Sequence, residues 1–134
     1  MIREVLFRGK ATAGLHAGKF IYGFYVKDFW RPRKCYGILP IDEEYGGYIE
    51  VDPESVGECS FVPDKNGVMM FEGDIVKGLF LHMLPINAVV AFKDGAFGLE
   101  WHRGDIKTFN AFTSICNVEY EVIGNITDNP ELLN

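Results

Sequence analysis

Hydrophobic and polar residues alternate with a period of two along several short stretches of this chain. The alternation is sharpest over residues 20–26, 96–101 and 118–126, and glycine, proline, asparagine and aspartate separate these stretches from their neighbours. Successive side chains of a β-strand point to opposite faces, so this period predicts strands that bury one face. The pattern therefore predicts a mainly β protein.

Turn chemistry predicts where the chain reverses. Residues 64–67 read Asp-Lys-Asn-Gly, and residues 72–74 read Glu-Gly-Asp between two apolar runs. Asp94-Gly95 separates residues 87–92 from residues 96–101. Asp-Gly favours a tight hairpin because both central residues of that turn adopt positive φ. We predict hairpins at 64–67 and 94–95, with Leu99 and Trp101 facing inward.

An aromatic stripe marks the strand predicted over residues 20–26. One face carries Phe20, Tyr22, Phe24 and Val26, and the other carries Ile21, Gly23 and Tyr25. Large aromatic residues at strand spacing are typical of a core, so we predict that this face is buried. The alternative is a platform for a flat ligand or a nucleic-acid base.

Two stretches compete with the strand pattern. Apolar residues within 105–116 have helical spacing, which indicates a short helix or an irregular cap. Asn129-Pro130 predicts one closing helical turn over 129–133, because proline suits the first position of a helix. Residues 52–57 are rich in turn formers and are expected to end a strand.

These elements predict a strongly bent antiparallel sheet or a small SH3-like barrel with at most one or two short helices. We expect an N-terminal β layer over residues 1–56 and a β-barrel-type core over residues 57–134, packed as one compact unit. A chain of 134 residues buries enough surface to fold without cross-links. The three cysteines are widely spaced and are expected to be reduced thiols.

Charge is unevenly distributed along the chain. The net charge is −6, but residues 1–36 hold eight Lys or Arg against two acidic residues, whereas residues 37–134 hold five against 17. The basic third is therefore expected to face the acidic remainder of the same molecule, the same surface of a neighbouring subunit, or an anionic partner. The absence of a long apolar run predicts a cytoplasmic protein without a membrane partner.

One short basic loop has the composition of a nucleic-acid contact. Its candidate residues are Trp30, Arg31, Arg33 and Lys34. An indole can stack on a base, and the cations can contact phosphates. The competing interpretation is a charged loop that lies beside the acidic half of the chain.

No catalytic constellation is apparent from residue spacing. The carboxylate and imidazole candidates are Glu72, Asp74, Glu100, Asp105, His82 and His102. A metal-dependent hydrolase would require Glu72, Asp74 and a histidine to converge on one point. No phosphate-binding or dinucleotide motif is present, so no cofactor is predicted.

Several segments together resemble the YopX family of phage and prophage proteins. The most specific are residues 64–67, 71–76, 92–98, 120–126 and 129–133, with further similarity at Val56-Gly57 and Arg3-Glu4. The similarity covers residues 56–134 well, whereas residues 15–48 depart from the family pattern. The resemblance implies a β-rich fold and a phage or prophage origin, and it supplies no activity or catalytic residue.

We therefore expect a non-catalytic binding or assembly protein that self-associates in the cytoplasm of a bacterial host. A phage or host protein is a further expected partner. Nucleic-acid binding through Trp30–Lys34 is the main alternative, and a metal-dependent hydrolase is the least favoured one.

Overall fold

A computed structural model describes residues 4–28, 35–112 and 119–133. Within them the chain forms antiparallel β-strands and short 3-10 helices, so the mainly β prediction is confirmed. The chain divides into two compact units, residues 1–59 and residues 60–134. No described helix has the length and apolar character needed to cross a membrane.

The first unit contains three whole strands, the larger part of a fourth strand, and two 3-10 helices. The strands are β1 (Phe7–Ala11), β2 (Phe20–Asp28), β3 (Cys35–Pro40) and β4 (Ile49–Pro63), and residues 60–63 of β4 belong to the second unit. The 3-10 helices are Gly14–His16 and Glu43–Tyr45. The second of these begins with a side-chain cap, because the Asp42 carboxylate accepts from the Glu44 amide at 3.0 Å.

The first four strands close into a ring. Each strand pairs with the next along the chain, and β1 also pairs with β4. The four side chains at its centre are Ala11, Ile21, Ile38 and Val51. Gly9 is required on β1, because a Cβ there would lie 2.8 Å from a methyl group of Val51. The predicted strongly bent antiparallel sheet is thus confirmed.

The burial predicted for the aromatic stripe is wrong. Tyr22 is 42% exposed and Phe24 is 55% exposed, whereas Ile21 on the opposite face is fully buried. A ring of only four strands has a narrow interior, which accommodates aliphatic side chains better than a row of aromatic rings. Gly23 also faces inward, where a Cβ would overlap the carbonyl of Leu39.

The second unit is built on one five-stranded sheet. Its strands are β6 (Asp74–Phe80), β7 (Leu84–Lys93), β8 (Ala96–Arg103), β9 (Ile106–Ala111) and β10 (Glu121–Asn125), in the spatial order β10-β6-β7-β8-β9. The short strand β5 (Met69–Phe71) pairs with β4 instead. A 3-10 helix over Pro130–Leu133 confirms the predicted closing turn.

One face of this sheet carries the second core. Its buried members are Met70, Val76, Ala88, Val90, Leu99, Trp101 and Tyr120. The predicted hairpin at Asp94-Gly95 is confirmed, with φ of 51° and 81° at the two turn residues. Leu99 and Trp101 are buried, as predicted from their alternation.

The helical prediction within 105–116 is wrong over residues 106–111. Those residues form β9, and Arg103 lies opposite Ile106 in its ladder with β8. Thr108 and Phe109 favour strands, and this segment pairs with β8. The pairing outweighs the helical spacing of its apolar residues. Residues 113–118 lie outside the described part of the chain.

The strand end predicted at 52–57 is also wrong, because β4 continues through it. The β1–β4 register shifts between Arg8 and Lys10, and side chains supply hydrogen bonds at that irregularity. The Ser55 hydroxyl accepts from the Lys10 amide at 2.8 Å and donates to the Asp52 carbonyl at 2.6 Å. A bulge therefore accommodates turn-forming residues without ending the strand.

Candidate functional site

The basic loop predicted to contact nucleic acid, Trp30, Arg31, Arg33 and Lys34, lies outside the described residues. The candidate surfaces that the structure describes are elsewhere. One lies on the first unit and two lie on the second.

The first surface is the outside of strands β2 and β3, which we call the barrel face and define as Tyr22, Phe24, Leu39 and Ile41. Phe24 lies directly opposite Leu39 in the β2–β3 ladder, and the Ile41 amide donates to the Tyr22 carbonyl at 3.1 Å. All four residues are classed as exposed, with Ile41 at 57%. Two aromatic rings and two aliphatic side chains thus form one apolar patch on a paired, rigid backbone.

Cations border the barrel face at Phe20. The Arg8 guanidinium carbon lies 4.7 Å from the Phe20 ring centroid, and the Lys10 ammonium lies 5.9 Å from it. Both distances fall in the range of cation–π attraction. Arg8 is nearly buried, so this end of the aromatic stripe is covered while Tyr22 and Phe24 remain accessible.

The second surface is the tip of the hairpin that joins β6 to β7. We call Leu81, His82 and Met83 the β6–β7 tip. Leu81 is 71% exposed and Met83 is 83% exposed. Leu81 and His82 have φ of 52° and 61°, in the left-handed region that favours glycine and asparagine. Leu-His lacks turn chemistry and continues the apolar run of residues 75–84, so no residue type in this run identifies a hairpin turn at these positions.

Two contacts fix the β6–β7 tip. The Met83 amide donates to the Phe80 carbonyl at 3.1 Å, and the His82 imidazole contacts the Glu119 carboxylate. Phe80, at the base of the tip, packs on Trp101 with ring centroids 4.7 Å apart. The backbone of the tip is therefore anchored, while its two apolar side chains point away from the core cluster.

The third surface is a groove of about 700 Å³ in the second unit. Apolar residues from β6, β7 and the closing 3-10 helix line it, among them Leu79, Pro85 and Leu132, together with Lys65, Lys77, His102, Arg103 and Glu119. The ammonium groups of Lys65 and Lys77 lie 3.7 and 3.8 Å from the Glu121 carboxylate. These two cations thus have an acidic partner within the protein.

Asp64 is the acidic residue whose importance sequence reasoning missed. It is only 5% exposed, and one carboxylate oxygen accepts from the amides of Asn66 (2.8 Å) and Val68 (2.9 Å). The other oxygen accepts from the Val122 amide at 2.9 Å. Burial acts to raise the pKa of Asp64, but the three amide donors and nearby Lys65 outweigh it, and the pKa lies below its usual value.

The acidic residues considered for catalysis have structural contacts. The Asp74 carboxylate is buried and accepts from the Phe71 amide at 2.8 Å across the Glu72-Gly73 turn. The Glu100 carboxylate forms ion pairs with Lys93 and, at 3.0 Å, with Lys107. Burial acts to raise the pKa of Glu100, and these two lysines lower it below its usual value. His102 and Asp105 are exposed on β8 and in the turn after it.

Within residues 4–28, 35–112 and 119–133, no group of three or more His, Cys, Asp or Glu side chains could hold a metal ion. The convergence of Glu72, Asp74 and a histidine that a metal-dependent hydrolase needs is therefore not seen there. The described surfaces instead offer apolar contact area, which suits binding.

The whole chain is similar in fold to a solved structure. Protein EF1440 from Enterococcus faecalis aligns with a TM-score of 0.54 and 22% sequence identity, over 99% of this chain and 100% of that one. No curated protein gives a significant match. The family model described as YopX protein matches residues 42–134, which is more than half of the chain. The chain therefore belongs to the YopX family.

Proposed function

We propose that this protein is a non-catalytic binding module that assembles with copies of itself through the barrel face. The observation that supports this is the exposure of Tyr22 and Phe24 on strand β2, whose other face packs in the core of the ring. Exposed aromatic residues that share a patch with aliphatic ones are typical of protein interfaces.

The paired strands of the first unit favour side-chain contact over strand addition. Because β1 pairs with both β2 and β4, and β3 with both β2 and β4, each strand of the ring has a neighbour on both sides. A partner that adds a strand needs an unpaired edge. A partner of this unit would instead contact its outward side chains, and the barrel face is an apolar set among them.

Sedimentation velocity over a range of protein concentrations tests the proposal. We expect the wild type to form species heavier than the monomer, and the variant Tyr22→Ser/Phe24→Ser to remain monomeric at the same concentrations. Ile106→Ser is the matched control, because Ile106 is 69% exposed on β9 and lies outside the barrel face. A wild type that stays monomeric throughout, or a barrel-face variant that associates like the control, would contradict the proposal.

In this proposal the protein acts in the cytoplasm of a bacterium that carries a phage or prophage. A phage or host protein with an apolar surface is the other kind of partner that the barrel face would bind.

Single-stranded nucleic acid is the second candidate ligand. It is favoured by the same aromatic stripe, because Arg8 and Lys10 lie beside Phe20 and stacking platforms combine rings with cations. The basic residues Arg31, Arg33 and Lys34 follow β2 in sequence. The net charge of −6 weighs against this function.

Titration with single-stranded DNA and RNA at two salt concentrations tests this candidate. Binding should weaken as salt rises, because neutralised phosphates release counterions. The variant Arg31→Ser/Arg33→Ser/Lys34→Ser should lose most of that salt dependence. If no binding to single-stranded DNA or RNA is detected at low salt, nucleic-acid binding through the loop is excluded. The same holds if the variant binds with the affinity of the wild type.

A further inference from the structure

We propose that Asn66 is a site of spontaneous deamidation, and that isoaspartate formed there loosens the hydrogen bonds by which Asp64 holds the turn. Asn66 and Gly67 are both exposed, in the loop that joins β4 to β5. Neither residue belongs to the barrel face or to the β6–β7 tip. The inference therefore goes beyond the proposed function and does not depend on self-association.

Among the asparagines that the structure describes, Asn66 has the side chain that is most free to react. No described residue forms a hydrogen bond with its carboxamide. The carboxamides of Asn87, Asn125 and Asn129 each take part in a hydrogen bond. Asn110 lies in strand β9 with a buried side-chain oxygen. Of the described asparagines, Asn66 alone thus combines exposure with an unbound carboxamide.

Gly67 supplies the nucleophile, and asparagine is one of the thermally labile residue types. The main-chain nitrogen of Gly67 attacks the side-chain carbonyl carbon of Asn66, and the new C–N bond closes a five-membered succinimide ring. The C–N bond of the carboxamide breaks, and its nitrogen leaves as ammonia with the proton that the Gly67 amide gives up. Water then opens either carbonyl of the ring, which yields aspartate or isoaspartate at residue 66.

The surroundings of Gly67 permit this attack. Glycine has no Cβ to shield its nitrogen, and no atom of the described residues beyond its chain neighbours lies within 4 Å of the place that a Cβ would take. The Gly67 amide donates to the Asp64 carbonyl at 3.1 Å, and this bond must break before the ring can close. Exposed turns open locally at little cost in free energy, so the nitrogen becomes available in the folded protein.

Isoaspartate lengthens the main chain inside the loop that Asp64 closes. Its main chain runs through the side-chain carbons, which adds one atom between the Cα of residue 66 and the Gly67 nitrogen. Besides the bond from the Gly67 amide, two hydrogen bonds span this point. The Val68 amide donates to the Asp64 carboxylate at 2.9 Å, and the Asp64 amide donates to the Val68 carbonyl at 2.8 Å. A longer loop cannot keep all three bonds at their present geometry.

Loss of the bond from Val68 affects a distant strand through the same carboxylate. Asp64 is 5% exposed, and its other oxygen accepts from the Val122 amide at 2.9 Å. A carboxylate that loses a donor either stays buried at a cost in free energy or turns toward water and releases Val122. A reaction at an exposed residue is thereby transmitted to a buried one, and it lowers the stability of the second unit.

Ageing of the purified protein tests the inference. One sample of folded wild type is incubated in mildly alkaline buffer, and a second sample is incubated in the same buffer with urea. Peptide mapping by mass spectrometry, with fragmentation that distinguishes isoaspartate from aspartate, measures the conversion of each asparagine. Conversion at residue 66 of the folded protein should exceed that at Asn87, which precedes Ala88, by about tenfold or more, because a Cβ on the following residue hinders ring closure.

Thermal unfolding measures the structural effect. The isoaspartate form, isolated by chromatography, should have a Tm about 5 °C below that of fresh wild type. Asn66→Ser is the matched control, because serine cannot form the succinimide and should keep its Tm through the same ageing. Fresh Asn66→Asp carries the new charge without the longer main chain, and it should unfold close to the wild type. Circular dichroism establishes that both variants are folded before ageing.

Three results would contradict the inference. If residue 66 of the folded protein stays asparagine, the turn protects it, and the urea sample serves as the positive control for the reaction. If aged Asn66→Ser loses as much thermal stability as aged wild type, the damage lies at another residue. If fresh Asn66→Asp is as unstable as the isoaspartate form, the added charge and not the longer main chain is responsible.

Discussion

Asp64 links a local turn to a distant strand through one carboxylate. Its oxygens accept three backbone hydrogen bonds, two from the 64–68 turn and one from Val122, and the side chain is almost fully buried. A buried carboxylate is stable only when its oxygens are satisfied, so the site depends on both segments being in place.

Asp64→Asn should destabilise the protein by about 2–4 kcal/mol. An amide retains only one acceptor oxygen, so its NH2 group would face at least one of the three backbone donors. Urea unfolding gives the change in the free energy of unfolding. Asp94→Asn is the control, because asparagine also tolerates the left-handed turn at that exposed position, and it should change stability by less than about 0.5 kcal/mol. Equal effects of the two substitutions would contradict the role of Asp64.

Stability should fall as the solution becomes acidic. The pKa values of Asp64 and Glu100 lie below their usual values in the folded state, so the unfolded chain binds protons at a higher pH than the folded protein. The free energy of unfolding is then at its full value above the unfolded pKa of about 4, and it decreases as pH falls through the lower folded values. Urea midpoints between pH 6 and pH 2.5 measure the slope, and Asp64→Asn/Glu100→Gln should flatten it. An unchanged slope in that variant would show that other groups cause the pH dependence.

Elements defined by short-range chemistry were predictable from sequence. Asp94-Gly95 forms its hairpin, and Asn129-Pro130 precedes the closing 3-10 helix. Elements that depend on distant partners were not predictable. Residues 106–111 have helical spacing but pair with β8, and the bulge that carries β4 through Pro53 depends on Lys10.

The exposure of the barrel face was likewise not predictable from local sequence. Alternation identified the strand over residues 20–26 correctly, but it did not indicate which side would be buried. That choice depends on closure of the ring by β1 and β4, which brings Ala11 and Val51 against Ile21. No local sequence pattern indicates that the interior of the ring is narrow.

Replacing the turn residues of the β6–β7 hairpin should stabilise the second unit. Leu81→Asn/His82→Gly removes two positive-φ residues that lack turn chemistry, and should raise the free energy of unfolding by about 1–2 kcal/mol. The exposed contact between His82 and Glu119 is lost, and such pairs contribute less than about 1 kcal/mol.

Leu81→Ala/His82→Ala is the matched control for this turn. It removes the same side chains and keeps two residues that disfavour positive φ, so it should bring no gain in thermal or urea stability. A gain of equal size in both variants would mean that the exposed side chains, rather than the backbone conformation, reduce stability.

At the scale of the whole molecule, the basic excess of residues 1–36 and the acidic excess of residues 37–134 should make self-association sensitive to salt. Raising ionic strength from 0.05 M to 0.5 M shortens the screening length several-fold, and the Kd for association should rise. Lys19→Glu, at an exposed position between β1 and β2, should weaken association at low salt and reduce this dependence. Sedimentation velocity at the two salt concentrations measures both effects. A Kd that is unchanged or lower at high salt would indicate a contact without electrostatic attraction.

The hydrogen bond between Asp64 and Val122 has a consequence for how the second unit comes into being. Its two ends are 58 residues apart, so the carboxylate acquires its third donor only after all the intervening strands have been synthesised. We expect that side chain to stay hydrated until then, because a carboxylate is buried only when its oxygens are satisfied. We therefore expect the second unit to acquire its native packing late, in a single cooperative step that begins when Val122 becomes free to reach residue 64.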